Sequence, residues 1–184
     1  MQDLVRLPAG YRLVEGTPDA VAYCHLRAAS GLTPKTEEQG RLALAGTWYM
    51  CYVTYTPPDD GNKEQSAEVV GMGRIIGDGG WYFLIADIAV LPEHQRRGLG
   101  DAIMTTILSH LRSRASPGAW ITLMADPPGR RLYQRHGFTE TAPASIGMAI
   151  FALMRRALNP GQALGPVMGN IYSRVLDPRS IAAI

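Results

Sequence analysis

Residues 82–100 read YFLIADIAVLPEHQRRGLG. The apolar run ends at Val90 and Pro92 cannot continue it. From Leu99 onward apolar side chains recur at helical spacing, so a strand passes into a helix through QRRGLG at 95–100. Glycines at 98 and 100 let a ligand approach the main chain closely. The unbonded N–H groups that open a helix, with the positive end of its dipole, are donors suited to phosphate oxygens. The same residues also read as a plain glycine-containing loop before a helix. Within the strand one carboxylate, Asp87, interrupts an apolar run of the kind that is covered on both faces. It must be paired, raised in pKa or facing a cleft, which makes it a candidate base and equally a partner for an arginine or for the backbone.

Outward from this stretch the elements follow from local signals. GDGG at 77–80 is a hairpin turn between strands at 68–76 and 82–90, and Trp48 to Tyr55 alternates as a further antiparallel strand. Residues 56–66, TPPDDGNKEQS, form a loop by composition. Near the start, Tyr11 to Val14 is a short strand. Thr17 with Pro18, and Thr33 with Pro34, supply N-cap and first-turn residues for two helices ending near Ala29 and Gly46. Ile103, Met104, Ile107, Leu108 and Leu111 mark the buried face of the helix after the glycine turn. Trp120 to Met124 is a strand, PPGRRLYQRH a short helix stopped by Gly137, and 138–141 with 147–154 a closing pair of strands. The tail from 159 is rich in Gly and Pro and reads either as a loose extension or as an arm packing on a second copy in a homodimer.

Composition narrows the class. The chain has 184 residues, 46% apolar and 18% charged, with a formal net charge of +2, which suits one soluble globular domain. The charge is too small to argue for nucleic acid as a partner. No stretch approaches the roughly 20 apolar residues of a membrane span and no signal peptide opens the chain, so a cytoplasmic location and no membrane partner are expected. Cys24 and Cys51 have no metal-ligand spacing, no two of the four histidines do either, and no metal is expected.

The order strand, QRRGLG, helix, strand, and a short helix ending in LYQRHGF at 132–138 resembles the GNAT superfamily of acyl-CoA-dependent N-acetyltransferases. The family's turn runs Gln or Arg, two residues, Gly, one residue, Gly or Ala, and Gln95, Arg96, Arg97, Gly98, Leu99 and Gly100 match it without a gap. Its later pattern is carried by Asp126, Gly129, Leu132, Tyr133, Gly137 and Phe138, with Asp126 in place of Asn and Gly129 in place of Ala. Those departures bear on a side-chain contact to the pantetheine arm, where the Asp still offers an acceptor. The resemblance spans residues 11–154.

The resemblance implies a mixed α/β fold over 1–158, with a central, mostly antiparallel, splayed sheet of about seven strands, followed by the extension 159–184. It implies acetyl-CoA as cosubstrate, its pyrophosphate held by main-chain N–H groups of 96–101, Asp101 included. Main-chain groups at Ile88, Ala89 and Val90 would pair with pantetheine and polarise the thioester. Tyr133 would protonate the departing thiolate, or else fill the core beneath the last strands. Arg130 and Arg131 would reach the adenosine phosphate or remain solvated charge. The activity implied is direct transfer of an acetyl group to a small primary amine, and Trp48, Trp81 and Tyr82 suggest an aromatic one. The alternatives are a non-catalytic acyl-CoA-binding or sensing module, and a peptide or protein N-acetyltransferase.

Overall fold

A computed structural model describes residues 6–58 and 66–148. The chain divides into two units, Met1–Glu140 and Thr141–Ile184. In the second the described residues form a turn in which Ser145 N donates to Thr141 O at 2.9 Å. Most of the expected strand at 147–154, the extension 159–184 and most of the loop after Tyr55 lie outside the described residues. The architecture below is that of the first unit.

Strand β1 (Tyr11–Glu15) leads into helices α1 (Ala20–Ala29) and α2 (Glu37–Ala45). Strands β2 (Tyr49–Tyr55), β3 (Glu68–Gly77) and β4 (Tyr82–Val90) follow, then α3 (Leu99–Arg114), β5 (Trp120–Leu123) and α4 (Arg130–Arg135). The sheet runs β1-β2-β3-β4-β5, with β1 to β4 antiparallel and β5 parallel to β4. The fold is the mixed α/β arrangement expected, but five strands stand among the described residues rather than about seven. Residues 138–141 form no strand. Gly137 takes φ +87°, Gly137 N bonds Gln134 O at 3.0 Å and Phe138 N bonds Tyr133 O at 3.1 Å, so the segment closes α4 instead of joining a ladder.

The helix starts also differ from expectation. Asp19, not Thr17, caps α1 by accepting from Ala22 N at 2.8 Å. Thr36 and Gln39 form a reciprocal capping box that starts α2 later than Thr33 would. In the β3–β4 turn, Asp78 Oδ1 accepts from the N–H groups of Gly80, Trp81 and Tyr82 at 2.8 to 3.1 Å, which fixes the hairpin.

The faces of the sheet are set by β3. A Cβ added at Gly73 would lie 2.6 Å from Ile103 and 2.8 Å from Ile107, so glycine there lets α3 lie directly on the strand. Arg74, one residue on, turns to the opposite face, where Tyr23 and Arg27 of α1 meet it. The core fills both sides: Leu99, Ile103, Met104, Ile107 and Leu111 from α3, and Tyr23 and Leu26 from α1, are almost wholly buried. Among the described residues no helix is long and apolar enough to cross a membrane.

Candidate active site

Two places in this unit have chemistry to offer: the head of α3 and the space under α1 and α2. At the first, one turn of 3-10 helix (Pro92–His94) follows β4, and Gln95 Nε2 reaches back to the Val90 carbonyl at 3.0 Å. Arg96 takes φ +62° and Gly98 φ +80°, so left-handed residues fold the main chain into a concave turn. The first bond of α3 is Ala102 N to Gly98 O at 3.0 Å, and no side chain caps the helix. Among the described residues, therefore, the N–H groups of 96–101 have no protein acceptor. An anion cradle is expected at this turn, and these open donors are the groups it would use.

Charged side chains around the turn are mostly held elsewhere. Arg97 donates to Glu93 O at 3.3 Å and lies over the Tyr11 ring, while Tyr11 OH and His94 Nδ1 are 2.8 Å apart. His94 is buried at 8% exposure. Asp101 faces α4, with Oδ1 at 3.0 Å from His136 Nε2 and 3.2 Å from Arg135. Its main-chain N–H stays with the turn.

The sheet opens beside this turn. β5 pairs only with Tyr82 to Ile85, so the second half of β4 has no neighbour on that edge among the described residues. Leu91 N bonds Val70 O at 2.9 Å and Ala89 lies opposite Met72, so alternation turns Ala89 toward β3 and Ile88 and Val90 toward the open edge. Of the main-chain groups expected to meet pantetheine, these two face the gap.

The structure brings the second motif against the first. Leu132 Cδ2 lies 3.3 Å from where a Cβ on Gly100 would be, and Asp101 ties the end of α4 to the start of α3. Tyr133 is half-buried and its ring lies on Gly129: a Cβ there would come within 2.9 Å of it. With glycine at 129 the tyrosine ring lies directly against the main chain. Phe138 packs edge-on to Tyr133 at 6.4 Å and completes the helix-ending motif that orients it. Burial, and then the nearby Asp126, raise the Tyr133 pKa, so the phenol holds its proton at neutral pH. Arg130 Nε donates to Ala125 O at 3.3 Å, and Asp126, exposed, accepts from Gly129 N at 2.9 Å through its carbonyl.

The second place is built on Asp87. Two residues of β4, Asp87 and Ile88, stand against Gly73 alone on β3, a bulge in which Asp87 takes φ +55°. Arg27 Nη1 pairs with its Oδ1, and Oδ2 accepts from Arg74 Nε at 2.5 Å and from Tyr23 OH at 2.6 Å. Burial alone would raise this carboxyl's pKa, but the Tyr23 hydroxyl and the two guanidiniums outweigh it and the net shift is downward. Tyr23, Arg27, Lys35, Gln39, Ala43, Arg74 and Asp87 line a cavity of about 290 Å³ between α1, α2 and the sheet. Sequence reading singled out Asp87 but missed Tyr23, Arg27 and Arg74. Arg74, the lone charge within the apolar run of β3, was the available signal.

Other candidates stand apart from this cavity. Trp48 packs on Phe83 and His110, Trp81 is 59% exposed beside Tyr82, and none of the three expected aromatic residues lines the cavity. Burial and the charge of Glu15 push the Cys51 thiol to about 12, so it keeps its proton at neutral pH.

A model of the acetyltransferase (GNAT) domain matches residues 59–140. A solved Staphylococcus aureus protein of unknown function, described as a probable acetyltransferase, shares 33% identity at a TM-score of 0.67. The match covers 77% of this chain and 99% of that one. The chain belongs to the GNAT acetyltransferases. Within this GNAT family it is 36% identical over 87 residues to GCN5-related N-acetyltransferase 2, chloroplastic, of Arabidopsis thaliana, covering 47% of this chain and 33% of that protein. It is 29% identical over 101 residues to serotonin N-acetyltransferase 2, chloroplastic, of Oryza sativa, covering 55% of this chain and 50% of that protein. The chain thus spans a third to a half of these GNAT relatives' length.

Proposed function

We propose that this chain transfers the acetyl group of acetyl-CoA directly to a primary amine of small size. The observation that carries the reading is the run of unbonded N–H groups at 96–101, set beside the open edge of β4. Coenzyme A brings a pyrophosphate that suits those donors and a thioester as acyl donor. Ile88 and Val90 offer main-chain groups along the path of the pantetheine arm, and the cavity under α1 and α2 receives the amine.

In the transfer the neutral amine nitrogen forms a bond to the thioester carbonyl carbon as the carbon–sulfur bond breaks. Main-chain N–H groups stabilise charge on the carbonyl oxygen. Tyr133, kept protonated by its burial, gives its proton to the leaving thiolate. The amine's proton departs to water. Asp87 is the weaker base, since its pKa is lowered and both its oxygens already accept bonds. We assign it to positioning Arg74 and Tyr23.

The test is thiol release from acetyl-CoA across a panel of free amines and short peptides, with coenzyme A binding followed by calorimetry. Saturable, amine-dependent release supports the reading. Release with peptides alone makes the chain a peptide N-acetyltransferase, and binding without release from any acceptor makes it an acyl-CoA-binding module; either overturns the proposal.

A further inference from the structure

The cavity under α1 and α2 holds more positive charge than its carboxylate neutralises. Among the described residues, Arg27, Arg74 and Lys35 line it and Asp87 is the one carboxylate. Both Asp87 oxygens are occupied, by Arg27 on one side and by Arg74 and Tyr23 on the other, so the carboxylate is poorly placed to receive an ammonium group. Arg27 directs Nε and Nη2 to Thr33 O at 3.3 and 3.2 Å. Arg74 directs Nη1 to Ala43 O at 3.2 Å and to Thr47 Oγ1 at 3.3 Å. Arg74 Nη2 then has no acceptor among the described residues, and Lys35 has no ion pair among them. A guanidinium fixed by its own bonds, with one nitrogen left open and an ammonium on the same cavity, is a recognition element for an oxyanion.

Resting on the reading of this cavity as the acceptor site, we infer that the acceptor amine carries an oxyanion group, carboxylate or phosphate, held between Arg74 Nη2 and Lys35. The same excess charge disfavours a protonated amine in the cavity and so favours the neutral form that attacks the thioester. Lys35 is exposed and belongs to no ion pair among the described residues, so it can be changed without opening the Asp87 cluster.

Two matched acceptor pairs separate this from a neutral-amine site: 5-aminopentanoate against pentylamine, and 5-hydroxytryptophan against serotonin. The carboxylated member is expected to exceed its partner in kcat/KM by about tenfold in at least one pair, and Lys35→Glu to abolish that preference. Independently of turnover, pentanoate and pentyl phosphate are titrated into the coenzyme A-loaded protein by calorimetry. Wild type is expected to bind at least one of them about tenfold more tightly than the Lys35→Glu protein, and the stronger of the two names the oxyanion. Preference for the carboxylated member in neither pair, or anion binding unchanged by Lys35→Glu, overturns the inference while leaving acetyl transfer standing. Anion binding lost in Lys35→Glu without thiol release from any amine upholds the oxyanion site and overturns the transferase reading.

Discussion

The head of α3 and the Asp87 cluster are opposite kinds of site. The first is consecutive in sequence, offers main-chain N–H groups, and is shaped by two left-handed residues, Arg96 and Gly98. The second is made of side chains, and its bonds join residues 60 and 64 positions apart, Arg27 and Tyr23 to Asp87. A local main-chain site is written in a motif and suits a donor that family members share. A site assembled by packing leaves little local signature, and under the proposed function it is there that acceptor choice would vary without disturbing the donor. Changes in the cluster should therefore act on stability and acceptor choice, and changes in the turn on coenzyme A.

The largest effect is expected for Asp87→Asn. It leaves Arg27 and Arg74, each about a tenth exposed, without their anion, and about 3 kcal/mol of unfolding free energy should be lost in urea titrations. Coenzyme A affinity of the folded fraction should change little. The pH dependence carries the same signature. Asp87 has a folded pKa below its unfolded value near 3.9, so its contribution is complete above that value and disappears as pH falls through the folded pKa. The Asp87→Asn protein should lose less stability than wild type in that acid window, and parallel curves would remove Asp87 from the account.

Next comes Tyr133→Phe, expected to lower kcat about 100-fold while the KM for acetyl-CoA stays within about twofold. An unchanged kcat would reduce Tyr133 to a packing residue on Gly129. Gly98→Val comes third. No protein atom lies within 4 Å of the new Cβ, so the cost is that of holding a β-branched residue at φ +80°. Coenzyme A should bind about tenfold more weakly, with acceptor preference retained; a shifted acceptor preference would erase the distinction between the two sites. The smallest effect is that of Asp101→Asn, which weakens half-exposed pairs to Arg135 and His136 and should cost less than about 1 kcal/mol in thermal unfolding.

Much of the scaffold was legible because its signals are local. The apolar spacing of α3 named its buried face correctly, and GDGG marked the β3–β4 turn that Asp78 secures. Caps were harder, since Thr17, Asp19, Thr33 and Thr36 are all good capping residues and tertiary packing selects among them. A strand at 138–141 was expected from residue type, but its first N–H group, that of Phe138, serves the end of α4. For the site, the oddness of Asp87 was visible and its partners were not. Which residue of α1 meets which residue of β4 depends on how the helix lies across the sheet. Period-two alternation likewise cannot say which face carries a cavity, and Trp81 and Tyr82, expected near an acceptor, stand exposed around the start of β4 and outside the lining of the cavity on Asp87.

The central claim is that main-chain donors at 96–101 hold the acyl donor. A ¹H–¹⁵N spectrum of the protein titrated with coenzyme A tests it most directly. The account predicts that the amide signals of Gly98 and Gly100 move downfield and saturate with the binding isotherm, as N–H groups without a protein acceptor gain a phosphate oxygen. Saturable binding of coenzyme A with both signals unmoved would contradict it.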